Sequence, residues 1–226
     1  MAQKAPRKYE MTVITGATGV GKTTLAEDGV YKWIADAQKR GPFEVAILDP
    51  NAQFAHLGEC AQWPGRKPDD TMDPNDERDP DERAEAWLRA FKKARALHGA
   101  NPPPCLVVLD DADVYMSGGQ PRGIWRDFFM TFRHWKCDVL IIGRRPQTLP
   151  KECFTNASRV AIFTSRENYA MGYYSEYIGA SNAKQIPRKP YHYLLVDLTG
   201  EDGGETYDAE VLQTKRRKIT VAADTR

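Results

Sequence analysis

Apolar residues are distributed along this chain in two alternating patterns. Mainly apolar runs, typical of strands buried on both faces of a parallel sheet, occur at residues 11–15, 43–49, 105–111, 137–143 and 159–165. Between them lie stretches with apolar residues at helical spacing, at residues 24–40, 79–99 and 122–136. This order predicts an α/β fold with a mainly parallel central sheet, helices on both of its faces and right-handed crossovers.

Local signals refine the ends of these elements. Asp79 is predicted to cap the second helix, with Pro80 at the first helical position. Near the end of the sequence, residues 191–198 and 215–221 are predicted to form extra strands at an edge of the sheet.

Length and composition fit one globular domain. The 226 residues are 41% apolar, which is enough for one well-buried core. We expect residues 1–226 to form a single domain, with an irregular acidic insertion at about 51–78 and a basic C-terminal extension at about 205–226. Because no run of about 18 apolar residues and no signal-peptide core occur, we expect a cytoplasmic protein without stable membrane insertion.

Charge and cysteine content argue against a globally basic nucleic-acid-binding protein and against a disulfide-bonded or zinc-binding one. The net charge is +1, from 32 basic and 31 acidic residues, so any affinity for nucleic acid must come from a local patch. Four cysteines lack CxxC spacing, and we interpret them as reduced structural thiols rather than disulfides or zinc ligands: Cys60, Cys105, Cys137 and Cys153.

The sequence GATGVGKT, at residues 16–23, matches the P-loop pattern G-x-x-x-x-G-K-[ST] between a predicted strand and a predicted helix. Glycines let successive backbone N–H groups curl around phosphate oxygens, and the following helix adds the positive end of its dipole. Lys22 is placed to reach the β- and γ-phosphates of ATP, and the Thr23 hydroxyl to hold Mg²⁺. The predicted nucleotide-binding residues are Gly16, Ala17, Thr18, Gly19, Val20, Gly21, Lys22, Thr23 and Thr24.

Two adjacent carboxylates end the third apolar run. Asp110 is placed to meet Mg²⁺, and Asp111 to polarise the water that attacks the γ-phosphate. Hydrolytic P-loop proteins often have Glu at this second position, and Asp is one methylene shorter. A P-loop kinase would instead show an arginine-rich lid and an acceptor pocket, and neither is recognisable in the sequence.

Further motifs lie at residues 132–174. Arg133 precedes the run at 137–143, Arg145-Pro146 follows it, and a connection through Asn156 leads to the next run. Together with the P-loop and the two acids, these motifs resemble the FtsK/HerA superfamily of DNA-translocating ATPases over about residues 10–180. The resemblance implies a P-loop NTPase fold related to RecA, with ATP and Mg²⁺ as ligands.

The resemblance also implies catalytic roles for two arginines. Arg133 lies where the family has its arginine finger, which acts on a neighbouring subunit. Arg144 replaces the usual Gln of the family's sensor, after Gly143 where Thr is common. The residues themselves also allow Arg133 to be an exposed helical arginine, and Arg144 to bind only a nearby carboxylate.

In length, the chain is similar to the genome-packaging ATPases of tailless, membrane-containing viruses. This resemblance implies a ring of five or six subunits that moves double-stranded DNA into a preformed capsid, in the host cytoplasm or at a packaging vertex of the virion. DNA would be held by its phosphates, with residues 115–126 as candidates, and capsid or vertex proteins are further candidate partners. The alternative is a nucleotide-dependent switch or assembly protein that hydrolyses ATP slowly and does not translocate.

Overall fold

A seven-stranded sheet organises the part of the chain that the computed structural model describes, residues 9–51, 53–54, 78–116, 123–165, 168–199 and 208–214. Its strands are β1 (Met11–Thr15), β2 (Glu44–Leu48), β3 (Cys105–Leu109), β4 (Cys137–Gly143), β5 (Arg159–Phe163), β6 (His192–Asp197) and β7 (Asp208–Gln213). The five apolar runs of the sequence are thus all strands.

The strand order is β2-β3-β4-β1-β5-β6-β7. The first five strands in this order are parallel to one another, whereas β6 is antiparallel to both of its neighbours. The predicted α/β fold with a mainly parallel sheet is therefore confirmed. Since parallel strands end at one edge of a sheet, the segments that follow β1, β2, β3 and β4 meet there, and we call this the carboxyl edge.

Helices cover the two faces of the sheet unevenly. The helices are α1 (Lys22–Gln38), α2 (Pro80–Ala96), α3 (Gly123–Thr131), α4 (Lys151–Thr155), α5 (Asn168–Ile178) and α6 (Ala180–Ala183). Within the described ranges, one face packs against α1 alone, through Ala26, Val30 and Ile34. The opposite face packs against α2 to α6 through a larger core that is rich in aromatic residues.

Two helix ends show how well local signals predict structure. The Asp79 carboxylate accepts a hydrogen bond from the Glu82 N–H at 2.9 Å, and Pro80 begins α2, as predicted. By contrast, α3 ends at Thr131 rather than at residue 136. Residues 132–136 form a turn instead, at whose end Lys136 adopts a left-handed conformation (φ 54°) and its carbonyl accepts the Cys105 N–H at the start of β3.

The carboxyl-terminal strands differ in part from the prediction. β6 confirms the strand expected at residues 191–198, but the edge strand next to it, β7, was not predicted. The strand predicted at residues 215–221 lies outside the described residues, as does most of the insertion at 51–78. Three cysteines are buried free thiols, Cys105, Cys137 and Cys153, whereas Cys60 is outside the described ranges. In the described chain, no helix has the length and apolar character needed to cross a membrane.

Candidate nucleotide-binding site

The P-loop lies at the carboxyl edge, directly after the central strand β1. Gly16 has φ 141°, and a Cβ there would lie 2.7 Å from the Phe163 Cβ at the end of β5. Gly21, which caps α1, has φ 105°, and a Cβ there would lie 2.8 Å from the Tyr191 ring. Both positions require glycine, because the loop backbone is left-handed and pressed against neighbouring elements.

The amino terminus of α1 faces this loop. The first N–H groups of a helix have no partner within the helix, and the helix dipole makes this end positive. Because α1 is 17 residues long and starts at Lys22, the N–H groups of its first turn can bind an anion. The local structure therefore suits a phosphate group.

Two side chains at the start of α1, Lys22 and Thr23, are also suited to binding a phosphate group and its cation. Lys22 is only 8% exposed, and its Nζ donates to the Ala17 carbonyl at 2.9 Å. Burial lowers the pKa of Lys22, while Asp111 and Asp113 act in the opposite direction. The Thr23 hydroxyl donates to Gln53 Oε1 at 2.8 Å, which leaves the oxygen lone pairs of Thr23 able to bind a cation.

Asp110 is a buried carboxylate at the end of β3. It is 1% exposed, and its Oδ2 has no hydrogen-bond partner among the residues that the structure describes. Burial raises its pKa to about 7, and the neighbouring carboxylates Asp111 and Asp49 add to this effect. An unpaired buried carboxylate oxygen is costly unless a cation satisfies it, so this atom fits Mg²⁺ or a water bound to Mg²⁺.

Asp111 lies beside Asp110 in a different environment. Its backbone is left-handed, with φ 44°, which is uncommon for a residue other than glycine. Arg144 donates to both carboxylate oxygens, from Nε at 3.1 Å and from Nη2 at 3.0 Å. The Asn51 amide donates to Oδ2 at 2.5 Å. Asp111 is thus fixed in position by two other elements of the carboxyl edge.

Arg144 follows β4 and contacts a carboxylate of its own chain. Binding of a nearby carboxylate was one of the two interpretations of its position in the sequence. The hydrogen bonds to Asp111 are the main reason that the pKa of Arg144 is raised. Its backbone N–H donates to Asp113 Oδ1 at 3.0 Å. The guanidinium is therefore held at the site while its side chain stays 43% exposed.

Solved structures share this fold. The genome packaging NTPase B204 from Sulfolobus turreted icosahedral virus 2, in complex with ATPγS, has a TM-score of 0.69 and 17% identity, over 92% of this chain and 98% of that one. EssC (ATPases 2 and 3) from Geobacillus thermodenitrificans has a TM-score of 0.56 and 13% identity, over 92% of this chain and 40% of that one. The pCW3 conjugation coupling protein TcpA has a TM-score of 0.55 and 12% identity, over 91% of this chain and 60% of that one.

The chain has the P-loop NTPase fold that these structures share. It resembles the viral packaging ATPases in this respect. No protein-family model matches the sequence, and no curated protein sequence does. The likeness therefore lies in the three-dimensional arrangement rather than in overall sequence similarity.

Within this fold, Arg133 lies apart from the other predicted site residues. It donates from Nε to the Tyr9 carbonyl at 3.3 Å and from Nη2 to the Asn156 carbonyl at 3.4 Å. Tyr9 precedes β1 and Asn156 precedes β5, so Arg133 is at the edge of the sheet opposite to the P-loop. Its guanidinium also lies over the Phe132 ring, 4.5 Å from the centroid. Arg133 does not meet the P-loop of its own chain.

The structure adds site residues that sequence reasoning missed. Asp49, at the end of β2, accepts the N–H groups of Asn51 at 3.1 Å and Phe54 at 2.7 Å. This turn holds Asn51 against Asp111 and Gln53 against Thr23. A polar cluster directly after a buried parallel strand was a usable signal for these residues. Tyr191 gave no such signal, because its place beside the P-loop depends on long-range packing.

Two adjoining clefts open at the site. One, of about 480 Å³, contains most of the P-loop together with the residues described above; it is lined by Thr18, Gly19, Gly21, Lys22, Thr23, Thr24, Asn51, Gln53, Asp110, Asp111, Ile142, Arg144 and Tyr191. The other, of about 530 Å³, shares Thr18 and Arg144 with it and adds Arg145. The structure thus brings together all predicted site residues except Arg133.

Proposed function

We propose that this protein is an ATP-hydrolysing motor that assembles into a ring and moves double-stranded DNA, with packaging of a viral genome as its task. One observation carries the hydrolytic part: Asp110, whose buried carboxylate has one unpaired oxygen, lines one cleft together with the P-loop lysine and the oriented carboxylate of Asp111. The DNA-moving part is supported by the likeness in fold to a genome-packaging NTPase.

ATP would bind with its phosphates on residues 16–24. The N–H groups of the loop and of the first turn of α1 would surround the phosphate oxygens, and Lys22 would lie against the β- and γ-phosphates. Thr23 and Asp110 would hold Mg²⁺, with Gln53 fixing the Thr23 hydroxyl. The positive charge of Mg²⁺ held there would offset negative charge that develops on the phosphate oxygens during hydrolysis.

Hydrolysis would depend on Asp111. A water oriented by this carboxylate attacks the γ-phosphorus, the bond to the bridging oxygen of ADP breaks, and the water's proton leaves through Asp111. Asn51 and Arg144 fix the direction of the carboxylate. Because Arg144 also lines the cleft, its guanidinium can stabilise negative charge on the γ-phosphate.

Ring formation would give Arg133 a role. An arginine on the edge opposite to the P-loop cannot act on its own nucleotide, but in a head-to-tail contact this edge of one subunit meets the carboxyl edge of the next. Such contacts close into a ring, of five or six subunits in our proposal. Arg133 would then act in trans and couple hydrolysis to movement of the ring, with capsid or vertex proteins as outer partners.

DNA would be held through its phosphates, because a motor must release every base sequence that it passes. Residues 115–126 are candidates for these contacts. Residues 117–122 lie outside the described ranges, whereas Arg126 lies on α3 with a 70% exposed side chain.

A second candidate function is a nucleotide-dependent switch or assembly protein with slow hydrolysis and no translocation. The bidentate contact between Arg144 and Asp111 favours it, since this carboxylate must exchange an arginine for a water molecule before it can act. The shorter Asp in place of Glu points the same way.

The rate of ATP hydrolysis in the presence of duplex DNA separates the two functions. For a motor, we expect the rate to rise on addition of DNA of any sequence and the stimulation to weaken as salt increases, because phosphate contacts release counterions. Asp111→Asn serves as the control for contaminating ATPases. A low rate that is the same with and without DNA at low salt would favour the switch.

A further inference from the structure

Tyr191 has an unusual backbone conformation next to the P-loop. It precedes β6 and has φ 63°, in the left-handed region that aromatic residues rarely adopt. Such a conformation is strained and persists only where its surroundings fix it. Strained residues of this kind concentrate at ligand sites, so the position of the ring merits a functional explanation.

Three hydrogen bonds of the Tyr191 backbone hold this conformation. Its N–H donates to the Val20 carbonyl within the P-loop at 2.8 Å. Its carbonyl accepts from the Thr214 N–H at 2.8 Å and from the Thr214 hydroxyl at 3.2 Å. Thr214 is 4% exposed and follows β7. The β6–β7 hairpin thereby anchors residue 191 against the phosphate-binding loop.

The ring of Tyr191 lies at the wall of the cleft that contains the P-loop. It lines the cleft of about 480 Å³ and packs so closely on Gly21 that a Cβ there would collide with it. The residue is partly exposed, so the ring contributes surface to the cleft as well as to the packing. It is the one aromatic side chain among the described residues that line this cleft.

The topology of the sheet indicates which part of the nucleotide meets this ring. Asp111 and Arg144 follow β3 and β4, on one side of β1, and they would face the γ-phosphate. Tyr191 precedes β6, two strands from β1 on the other side, roughly 10 Å away at the usual strand spacing. Since the γ-phosphate is one end of a nucleoside triphosphate, the nucleoside at its other end would extend towards Tyr191.

We infer that Tyr191 forms the nucleoside subsite, with its ring stacking on the base of the bound nucleoside triphosphate. This inference rests on the proposed P-loop function and adds the residue that separates a nucleotide from a bare polyphosphate. Stacking on a phenol ring suits any base, because every base has a π face. Tyr191 would therefore select for the presence of a base and contribute little to a choice between adenine and guanine.

Equilibrium binding by calorimetry tests this inference, with a non-hydrolysable ATP analogue and inorganic tripolyphosphate as the two ligands, each with Mg²⁺. The key variant is Tyr191→Gly. It preserves all three hydrogen bonds, which use only backbone atoms of residue 191, and glycine tolerates the left-handed conformation. We expect binding of the ATP analogue to weaken roughly 10-fold, the scale of one lost base–aromatic stack, and tripolyphosphate to bind as to the wild type.

Matched variants complete the experiment. Tyr191→Phe keeps the ring and should bind the ATP analogue within about twofold of the wild type. Tyr169→Ala removes a tyrosine that is 82% exposed on α5 and should change neither affinity. Thermal melting followed by circular dichroism establishes that each variant is folded.

The outcomes separate the inference from the function on which it rests. If Tyr191→Gly binds the ATP analogue like the wild type, or loses affinity equally for both ligands, the nucleoside subsite is refuted while the P-loop proposal stands. If the wild type binds neither ligand, or Lys22→Ala binds both like the wild type, the P-loop proposal itself is refuted.

Discussion

Replacing Asp110 by Asn is expected to stabilise the protein while removing its metal site. Burial raises the pKa of Asp110 from 3.8 to about 7, so the ionised carboxylate is disfavoured in the folded state. The difference corresponds to on the order of 4 kcal/mol, at about 1.4 kcal/mol for each pH unit. Asn is close to Asp in shape and carries no charge, and it avoids this penalty.

The sign of the pH dependence follows from the raised pKa of Asp110. Between about pH 4 and pH 7 the folded state binds a proton that the unfolded state has already released, so folding stability falls as pH rises through this range. Roughly half of the penalty is present at pH 5.5 and nearly all of it at pH 8. The gain in stability from Asp110→Asn should therefore be about 2 kcal/mol larger at pH 8 than at pH 5.5.

Urea denaturation of the wild type and of Asp110→Asn at the two pH values measures this difference, without nucleotide or Mg²⁺. Asp36→Asn is the control, because Asp36 lies on the surface of α1 with a 62% exposed side chain. Its effect on the free energy of unfolding should be small at both pH values. If Asp110→Asn destabilises the protein at pH 8, or its gain is the same at both pH values, then Asp110 is not the buried, uncompensated carboxylate described above.

Other substitutions should separate nucleotide binding from turnover. Asp111→Asn should still bind ATP but lose roughly 100-fold or more in kcat, since the group that orients water is gone; wild-type kcat would make this carboxylate structural. Asn51→Ala should lower kcat by about 10-fold with little change in KM, because it frees the carboxylate without removing a phosphate contact; a change confined to KM would contradict this role. Subunits with Arg133→Ala should bind ATP nearly normally, hydrolyse it poorly and regain activity when mixed with Lys22→Ala subunits. Arg144→Ala should not be rescued in the same mixture, because Arg144 contacts its own chain. Rescue of Arg144→Ala but not of Arg133→Ala would instead assign the role in trans to Arg144.

Much of the parallel core could be predicted from the sequence because its signals are local. The P-loop pattern lies between a β-branched run and a helical stretch, and Asp110 directly follows a continuously apolar strand. In both cases the candidate site residue and the strand or helix that positions it are adjacent in sequence. For the same reason the N-cap Asp79 and the start of α2 were predictable.

The rest of the site depends on contacts between distant segments. Asn51 meets Asp111 across 60 residues, and Tyr191 meets the P-loop across about 170, so the partner in each contact cannot be identified from a local pattern, although the polar cluster after β2 marks Asn51 itself. β7 was missed for a different reason: as an edge strand it has exposed positions, with Val211 50% exposed, and lacks the continuous apolar run of a central strand. The left-handed Lys136 that follows α3 is likewise set by pairing with β3 rather than by helix propensity.

Displacement of a triplex-forming oligonucleotide from duplex DNA tests the central claim most directly, because it reports movement along DNA rather than ATP turnover. The protein is given Mg²⁺ and ATP, and release of the labelled third strand is followed over time on duplexes of increasing length. We predict release that requires ATP, shows a lag that grows with distance to the triplex, and is absent with Lys22→Ala and with Asp111→Asn. Hydrolysis of ATP on the same duplexes without any release of the third strand would contradict the claim that this ATPase translocates DNA.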